Sequence, residues 1–355
     1  MSAVRPFRAR LVTQDRSADV VMPMVDSIDD TIPDLRSGIV DPEAYAESPA
    51  RLYVYRQRRG TEAHTGIVCD VATEAFVDGR VRGHESVRPD RVEALVRHFA
   101  TARDRPALVA LLHQTGPAFT DVVATTCRTR PLLDFTAPDG LEQTVWEVAA
   151  GPDTDSLSEE LGTDAHYIAD GHHRVAASLE EWRTAGQPPD AGVLCVVYPL
   201  DGLNLSAFHR RVVGPVDRSA LLDLLSHGFD VLETAAPPAL ATGRFGVYAV
   251  RTWLAATFRG DRPDGASGLD VSVLHAAVIG ELVHGAGSVP NVEFAPAGRD
   301  LAELTERCDR DGGALFTLAP PALDVLTGLA DRGEVMPPKT TYFEPKPCAG
   351  IFLRS

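Results

Sequence analysis

The sequence predicts an α/β or α+β fold, because runs typical of strands alternate along it with segments of helical periodicity. Residues 192–198 are apolar and rich in β-branched side chains, which is typical of a buried strand. Residues 89–99 instead place Val92, Leu95, Val96 and Phe99 at the i, i+3, i+4 and i+7 positions of one helix face. Both patterns recur from residue 51 onward, so strands and helices interleave.

The order of these elements suggests four segments. Strands are predicted at 52–55, 66–71, 107–112, 144–148, 166–169, 192–198, 245–250 and 313–318. Helices are predicted at 89–99, 156–161, 175–182, 221–225, 271–282 and 322–330. We expect an N-terminal segment packed on the core (1–50), a core (51–214), an accessory α/β domain (215–330) and a C-terminal Lys/Pro motif with a strand returning to the core (331–355).

Composition and charge exclude several classes of protein. The 355 residues are 44% hydrophobic and 24% charged, which is ordinary globular composition. The net charge of −16 argues against nonspecific binding of nucleic acid. No apolar run reaches the roughly 18 residues that span a bilayer, and the N-terminus shows no signal peptide. The five scattered cysteines contain no Cys-x-x-Cys pair, so we expect reduced thiols in a cytoplasmic protein.

The strongest local signal is the run Asp170-Gly-His-His-Arg174 between a predicted strand and a predicted helix. A glycine at such a corner exposes the first N–H groups of the helix, which together with the helix dipole favour an anion such as phosphate. Gly171 permits close approach of the backbone, and Arg174 can hold phosphate oxygens with two hydrogen bonds. His172 and His173 point to different faces, so we expect one of them to reach the ligand. The alternative is an Asp N-cap, a turn glycine and surface histidines.

A second signal is the loop that contains His84 and Glu85, both of which are catalytic candidates. A carboxylate there can act as general base toward a hydroxyl or help to hold Mg2+. The alternative is a solvated loop acid. A zinc site would draw on His84, Glu85, His113, His172 and His173, but no His-Glu-x-x-His helix occurs, and adjacent histidines in one turn rarely bind one ion.

Two further polar stretches follow predicted strands. His113 and Gln114 are candidates for lining a substrate pocket, with a plain polar loop as the alternative. Ser206 and His209 lack a surrounding Gly-x-Ser-x-Gly elbow, so we discount a serine hydrolase. The Walker and Gly-x-Gly-x-x-Gly fingerprints of P-loop and Rossmann proteins do not occur in the sequence.

The third signal is the C-terminal segment 336–346, which holds both lysines of the protein, Lys339 and Lys346. All 32 other basic residues are arginines, so this pair marks a place where an ammonium is chemically preferred to a guanidinium. Prolines stiffen the segment, and Tyr342 lies between the lysines as a candidate substrate contact. Two ammonium groups on a stiff loop suit a polyphosphate or a carboxylate, whereas a solubilising tail is the alternative.

Five motifs together resemble a widespread prokaryotic family known only as a domain of unknown function (DUF1015). They are Val-Arg-Pro-Phe-Arg at 4–8, Leu-Tyr-Val-Tyr-Arg-Gln at 52–57, Gly-His-Glu at 83–85, Ile-Ala-Asp-Gly-His-His-Arg at 168–174 and Met-Pro-Pro-Lys-Thr-Thr-Tyr-Phe-Glu-Pro-Lys at 336–346. The fourth motif is similar to the phosphate-binding segment of the ParB/sulfiredoxin-like superfamily, which includes nucleotide-dependent free-serine kinases. Two departures concern the substrate: residues 23–27 read Pro-Met-Val-Asp-Ser where relatives carry Pro-Tyr-Asp-Val, and Val175 replaces a tyrosine.

The resemblance implies a ParB/sulfiredoxin-like nucleotide-binding core with an additional α/β C-terminal region. It further implies a Mg2+-dependent phosphotransferase that moves a phosphoryl group from ATP or ADP to the hydroxyl of a small molecule, a serine-like amino acid first. Glu85 would then take the proton from the hydroxyl, and Asp170 would orient the corner or contact Mg2+. The phosphate contacts would be Gly171, His172, His173, Arg174, Lys339 and Lys346.

Two other functions stay open at this point. The first is a nucleotide-gated regulatory or scaffold protein of the ParB type, in which Arg128, Arg130, Arg210 and Arg211 could form a local basic patch for DNA. The second is a metal-dependent hydrolase. The oligomeric state, including a homodimer, is also left open.

Overall fold

The computed structural model describes residues 3–24, 41–101, 105, 107–285 and 292–354. Its mixture of sheets and helices confirms the predicted α+β class. Residues 25–27, part of the segment in which the sequence departs from its relatives, lie outside the described residues.

Within the described residues, the strands form three sheets. In chain order they are β1 (Val4–Arg5), β2 (Phe7–Val12), β3 (Tyr45–Arg51), β4 (Tyr53–Arg59), β5 (Glu62–Ala72), β6 (Val81–Arg82), β7 (Val109–His113), β8 (Leu133–Thr136), β9 (Glu142–Glu147), β10 (His166–Asp170), β11 (Gly192–Pro199), β12 (Asn204–Val212), β13 (Phe229–Thr234), β14 (Arg244–Ala249), β15 (Thr252–Phe258), β16 (Val292–Pro296), β17 (Ala314–Thr317), β18 (Thr341–Glu344) and β19 (Phe352–Arg354).

The helices lie mainly between strands, as the interleaved sequence pattern predicts. They are α1 (Ser17–Val20), α2 (Pro89–Thr101), α3 (Pro117–Thr126), α4 (Pro152–Glu160), α5 (His172–Thr184), α6 (Arg218–Gly228), α7 (Asp270–Leu274), α8 (Gly280–Gly285), α9 (Leu301–Asp311) and α10 (Leu323–Asp331). Short 3-10 turns occur at Pro42–Ala44, Thr73–Phe76 and Gly265–Gly268, and a π turn at His275–Ile279 joins α7 to α8.

The first sheet carries the Asp170 corner. Its strand order is β6-β10-β7-β11-β5-β4-β9-β8, and β1 pairs with β5. β7 and β11 are parallel neighbours in the middle of this sheet, and both are almost entirely buried. This burial explains why their sequences read as continuous apolar runs rather than as alternating ones.

The second sheet, with the order β13-β15-β14-β17-β12-β16, is antiparallel, and β18 adds to one end of β12. β12 therefore belongs to this sheet, although the expected boundary at residue 214 placed it with the core. The chain passes from one sheet to the other between Pro199 and Asn204. Apolar side chains of both sheets join in one buried cluster, which packs the two parts of the chain together.

The third sheet ties the two ends of the described chain together, with β2 between β3 and β19. Phe352 of β19 lies within 6.4 Å, centroid to centroid, of the rings of Phe7, Tyr53 and Tyr55. The C-terminal strand is thus packed against the first sheet, while residues 341–344 of the preceding segment pair with β12. Among the described residues, no helix combines the length and apolarity needed to cross a bilayer.

Candidate active site

Gly171 forms the corner between β10 and α5. Its φ of 109° lies in the region that favours glycine, and no side chain caps the N-terminus of α5. An added Cβ would lie 3.2 Å from the Arg174 guanidinium and from a methyl group of Val109. Because the first N–H groups of a helix have no acceptor within the helix, this uncapped end can bind an anion.

The carboxylate of Asp170 contacts two cations. One oxygen accepts a hydrogen bond from the Lys346 ammonium at 2.8 Å, and the other accepts one from the Arg174 guanidinium. Burial raises the pKa of Asp170. The positive charges of Lys346 and, next, of Arg174 together lower this pKa by more than burial raises it, so the net pKa lies below the usual value. Asp170 is therefore ionised at neutral pH and holds both cations beside the N-terminus of α5.

A buried polar network, which the sequence did not reveal, fixes Lys346 beside Asp170. Gln57 on β4 donates to the backbone carbonyl of Lys346 at 2.9 Å and accepts from the Tyr198 hydroxyl at 3.0 Å. The hydroxyl of Tyr55 accepts from the backbone N–H of Cys348 at 3.2 Å. These contacts give a structural reason for Tyr55 and Gln57 in the motif at 52–57, because the two side chains hold the C-terminal segment against β4.

The two lysines lie over neighbouring aromatic rings. The Lys346 ammonium is 5.1 Å from the centre of the Tyr342 ring, and the Lys339 ammonium is 4.9 Å from that of Phe208. Those two rings meet edge to face with their centroids 5.1 Å apart. Lys339 also has a φ of 57°, a backbone conformation that costs a residue with a Cβ about 1–3 kcal/mol. Such strain is typical of functional sites, and here it places the second ammonium on the same aromatic surface.

The loop with His84 and Glu85 packs against the N-terminus of α5. The backbone N–H of His84 donates to Nε2 of His172 at 3.3 Å, and that of Arg88 donates to Nε2 of His173 at 2.9 Å. The side chains of both histidines thus anchor the loop that contains Glu85. The groups of His172 and His173 that can then bind an anion are their backbone N–H groups. Burial lowers the pKa of His172 to about 4, which keeps its ring neutral and able to accept.

His84 is buried and also contacts the C-terminal segment. Its Nε2 is 3.1 Å from the hydroxyl of Thr341, and its carbonyl accepts from the backbone N–H of Met336 at 2.8 Å. Glu85 itself is half-buried and forms a parallel bridge with Met336. Burial lowers the pKa of His84 well below its usual value, so the ring is neutral. His84 therefore joins the loop, α5 and the C-terminal segment.

A buried arginine, Arg210, interacts electrostatically with Glu85. Arg210 on β12 is only 4% exposed and donates to the carbonyl of Pro338 at 3.2 Å. Burial lowers the pKa of Arg210 to about 9, and the charge of Glu85 opposes that shift. Arg211 is also buried and pairs with Glu293 at 2.9 Å. Arg210 and Arg211, two of the four arginines that left a local basic patch for DNA open, are therefore inside the protein and do not contribute to such a surface.

His113 and Gln114 lie at the other end of the strands from Asp170. In the pairing of β10 with β7, His166 stands opposite His113, whereas Asp170 stands opposite Ala110. Four residues of strand separate the two positions, about 13 Å at the usual rise. His113 is buried, with its ring stacked on that of His166 at 4.3 Å. The structure does not bring this pair of candidates to the Asp170 corner.

The residues considered as zinc ligands do not form a metal-binding group, although the rings of His84 and His172 lie 4.6 Å apart, centroid to centroid. Across the described ranges, from residue 3 to 354 with their gaps, there is no group of three or more His, Cys, Asp or Glu residues placed to hold a metal. His113 is remote from the other four, and the carboxylate oxygens of Asp170 both contact cations. Glu85 remains the acidic side chain at this site that suits Mg2+.

The fold and the site together define an α+β protein in which two cations, Arg174 and Lys346, meet one carboxylate at a strand-to-helix corner. The chain belongs to the family described as "Protein of unknown function (DUF1015)", whose model matches residues 44–273, and this confirms the family predicted from the sequence. No curated protein matches the chain.

Solved structures with a similar arrangement share little sequence with this chain. A free serine kinase in complex with AMP is 15% identical with a TM-score of 0.40, covering 78% of this chain and 86% of the other. A conserved hypothetical protein from Pyrococcus furiosus is 15% identical with a TM-score of 0.40, covering 84% and 96%. A C-terminally truncated SbnI from Staphylococcus aureus is 12% identical with a TM-score of 0.42, covering 79% and 85%.

Proposed function

We propose that the protein binds the phosphates of ATP or ADP at the N-terminus of α5 and transfers a phosphoryl group to a small hydroxyl compound. The observation that carries this proposal is the meeting of an uncapped helix N-terminus with two cations, Arg174 and Lys346, that one carboxylate holds in place. The proposal includes a ParB/sulfiredoxin-like core and a cytoplasmic location, where such nucleotides occur.

The phosphate contacts follow from the donors at the corner. An ammonium has three N–H donors and a guanidinium has five, so Lys346 and Arg174 can contact Asp170 and a phosphate at the same time. The backbone N–H groups after Gly171 add donors aligned with the helix dipole. Lys339, on the neighbouring aromatic ring, extends this positive surface. A chain of two or three phosphates suits such an extended row better than a single carboxylate does.

Glu85 is the proposed general base. The contacts of His84 with His172 and of Arg88 with His173 fix its loop on both sides, so the carboxylate is held in one place relative to the phosphates. A base must lie within hydrogen-bond reach of the hydroxyl that it deprotonates. Asp170 has a different role: it positions Lys346 and Arg174 rather than reacting.

Mg2+ is part of the proposal through the chemistry of its ligands. The ion prefers oxygen ligands and commonly binds one or two carboxylates together with substrate phosphates. Glu85 fits such a role, whereas Asp170 would first have to give up a cation. When bound, Mg2+ would neutralise charge on the transferring phosphoryl group.

One observation also favours the second function, a nucleotide-gated switch. Lys346 belongs to the C-terminal segment, and its contact with Asp170 ties that segment to the phosphate corner. A nucleotide that draws Lys346 toward its phosphates would change this contact and could signal its presence to a partner. Binding without turnover would favour this function.

The test combines binding with turnover. Titration calorimetry with ATP and ADP in Mg2+ measures affinity, and consumption of nucleotide in the presence of hydroxyl compounds measures transfer. We expect Glu85→Gln to abolish turnover and, when the titration is run in EDTA so that Mg2+ does not contribute, to leave nucleotide affinity within twofold of the wild type. Glu47→Gln, an exposed carboxylate on β3, is the matched control and should change neither. Loss of binding alone in Glu85→Gln would contradict its role as base, and absence of binding in the wild type would contradict the proposal.

A further inference from the structure

A cavity of about 820 Å3 lies beside the Glu85 loop, apart from the phosphate contacts described above. Its lining includes Ser86, Met336 and Pro337 of the C-terminal segment, and residues of the helix that begins at Asp270. Its volume lies in the range of roughly 300–1,000 Å3 that is typical of sites for small organic ligands. Serine alone would fill only a small part of it.

The wall that the helix contributes to the lining is mostly apolar. Ser272 donates its hydroxyl to the carbonyl of Ala266 at 2.7 Å, and Ser267 donates to that of Asp264 at 2.9 Å. Their hydroxyl protons are therefore engaged by the backbone, and aromatic and aliphatic groups such as Phe258 also line the space. A ligand with an apolar body would gain free energy from covering this wall.

The same wall contains an irregular turn of helix. α7 continues through the π turn His275–Ile279 into α8, so the three form one helix with a wide turn in its middle. Ala276 and Ala277 stand on that turn and line the cavity. Wide turns of this kind are rare and occur frequently at functional sites, which is an observation independent of the cavity itself.

The Glu85 loop borders both this cavity and the N-terminus of α5. The loop contacts α5 through the backbone of His84 and of Arg88, and Ser86, between those two residues, lines the cavity. Glu85 is thus the chain neighbour both of His84, which contacts α5, and of Ser86, which lines the cavity. A general base must lie within hydrogen-bond reach of the acceptor hydroxyl, and the attacked phosphoryl group must lie in line beyond the oxygen of that hydroxyl.

We propose that this cavity binds the acceptor, and that the acceptor is an amino alcohol with an apolar body larger than serine. The charge assignment comes from Asp261, the one ionisable residue among the described residues that line the cavity, which lies exposed at its rim. A carboxylate there favours a neutral or cationic group over an acidic one. The inference rests on the proposed function, because only phosphoryl transfer makes the bound hydroxyl an acceptor.

Binding of a graded series of amino alcohols tests the proposal without requiring turnover. The probes are ethanolamine, 2-amino-1-butanol, leucinol and phenylalaninol, titrated against the full chain by calorimetry. We expect affinity to rise about fourfold for each methylene buried against the apolar wall. Ala276→Trp should remove this gain, whereas Ala124→Trp, at an exposed position of α3, is the matched control and should keep it.

A second variant covers the case in which Ala276→Trp does not fold. Asp261→Asn lies on an exposed loop and should weaken amino alcohols two- to fivefold while leaving the corresponding neutral alcohols unchanged. Equal affinity across the series, or equal affinity for amino and neutral alcohols in the wild type, would overturn the proposal. A loss of ATP affinity in Ala276→Trp would place the nucleobase in the cavity and overturn it as well. Failure of the wild type to bind ATP or ADP would contradict the proposed function alone, since the amino alcohol series is read separately.

Discussion

The contact between Asp170 and Lys346 should be worth far more than an ion pair on the surface. The two charged atoms are 2.8 Å apart, and the side chains are only 18% and 9% exposed. At an effective dielectric constant of about 20, charges at this distance attract by about 6 kcal/mol. Desolvation of two largely buried groups offsets part of that attraction, so we expect a net coupling of about 2–3 kcal/mol. Exposed pairs give about 0.2–1 kcal/mol.

A double-mutant cycle measures this coupling. Asp170→Asn, Lys346→Met and the double variant are unfolded in urea, and the coupling is the part of the change in unfolding free energy that does not add. Arg58 and Glu142 are the matched control pair, because their side chains meet at 2.5 Å across β4 and β9 but are 54% and 43% exposed. A coupling for Asp170 and Lys346 no larger than that of the control pair would refute the assignment of Asp170 as the residue that holds Lys346.

Three further predictions concern stability and binding. Burial lowers the pKa of His166 to about 4, against about 6.5 unfolded, so the unfolded chain binds more protons between those values and stability should fall as the pH drops from 6.5 to 4. The loss of unfolding free energy attributable to His166 is about 3 kcal/mol. In urea unfolding across this pH range, His166→Gln should lose less stability than the wild type, whereas the exposed control His227→Gln should lose as much as the wild type. Identical pH profiles of the wild type and His166→Gln would contradict the role of His166. Gly171→Ala should lower the unfolding free energy by about 1–3 kcal/mol and weaken ADP binding at least tenfold, because the new Cβ would displace Arg174. Gly186→Ala is the control, since Gly186 also has a positive φ but open space where its Cβ would lie, and it should leave ADP affinity unchanged. Equal effects of the two substitutions on ADP affinity would refute the crowding at Gly171. Lys339→Gly should raise the unfolding free energy by about 1 kcal/mol by relieving its backbone and yet weaken ADP, and calorimetry showing unchanged affinity would remove Lys339 from the phosphate site.

The sequence predicted the local features of the site well because they depend on neighbouring residues. The corner at Gly171 follows from a strand pattern, a glycine and a helix pattern in immediate succession, and the structure places β10 and α5 there. The buried strand β11 was equally readable, since an apolar, β-branched run has few other uses. Helix α5 begins at His172, three residues before the predicted start.

The long-range contacts could not be predicted, because no local pattern encodes them. Lys346 meets Asp170 across 176 residues, and Gln57 meets Lys346 across 289. The burial of Arg210 was also not predictable, since arginines are mostly exposed. No pattern in the residues next to Arg210 in the chain indicates its cation–π contact with Phe294, whose ring centre lies 4.6 Å from the guanidinium. Two lysines among 34 basic residues were the one compositional signal that pointed to this end of the chain.

The central claim is that the N-terminus of α5, with Arg174 and Lys346, binds the phosphates of a nucleotide. Titration of adenosine, AMP, ADP and ATP against the wild type and Arg174→Gln tests it most directly. The claim predicts that affinity in the wild type rises with each added phosphate, and that Arg174→Gln flattens this rise while leaving adenosine unaffected. Equal affinity for adenosine and ADP in the wild type, or an unchanged rise in Arg174→Gln, would contradict it.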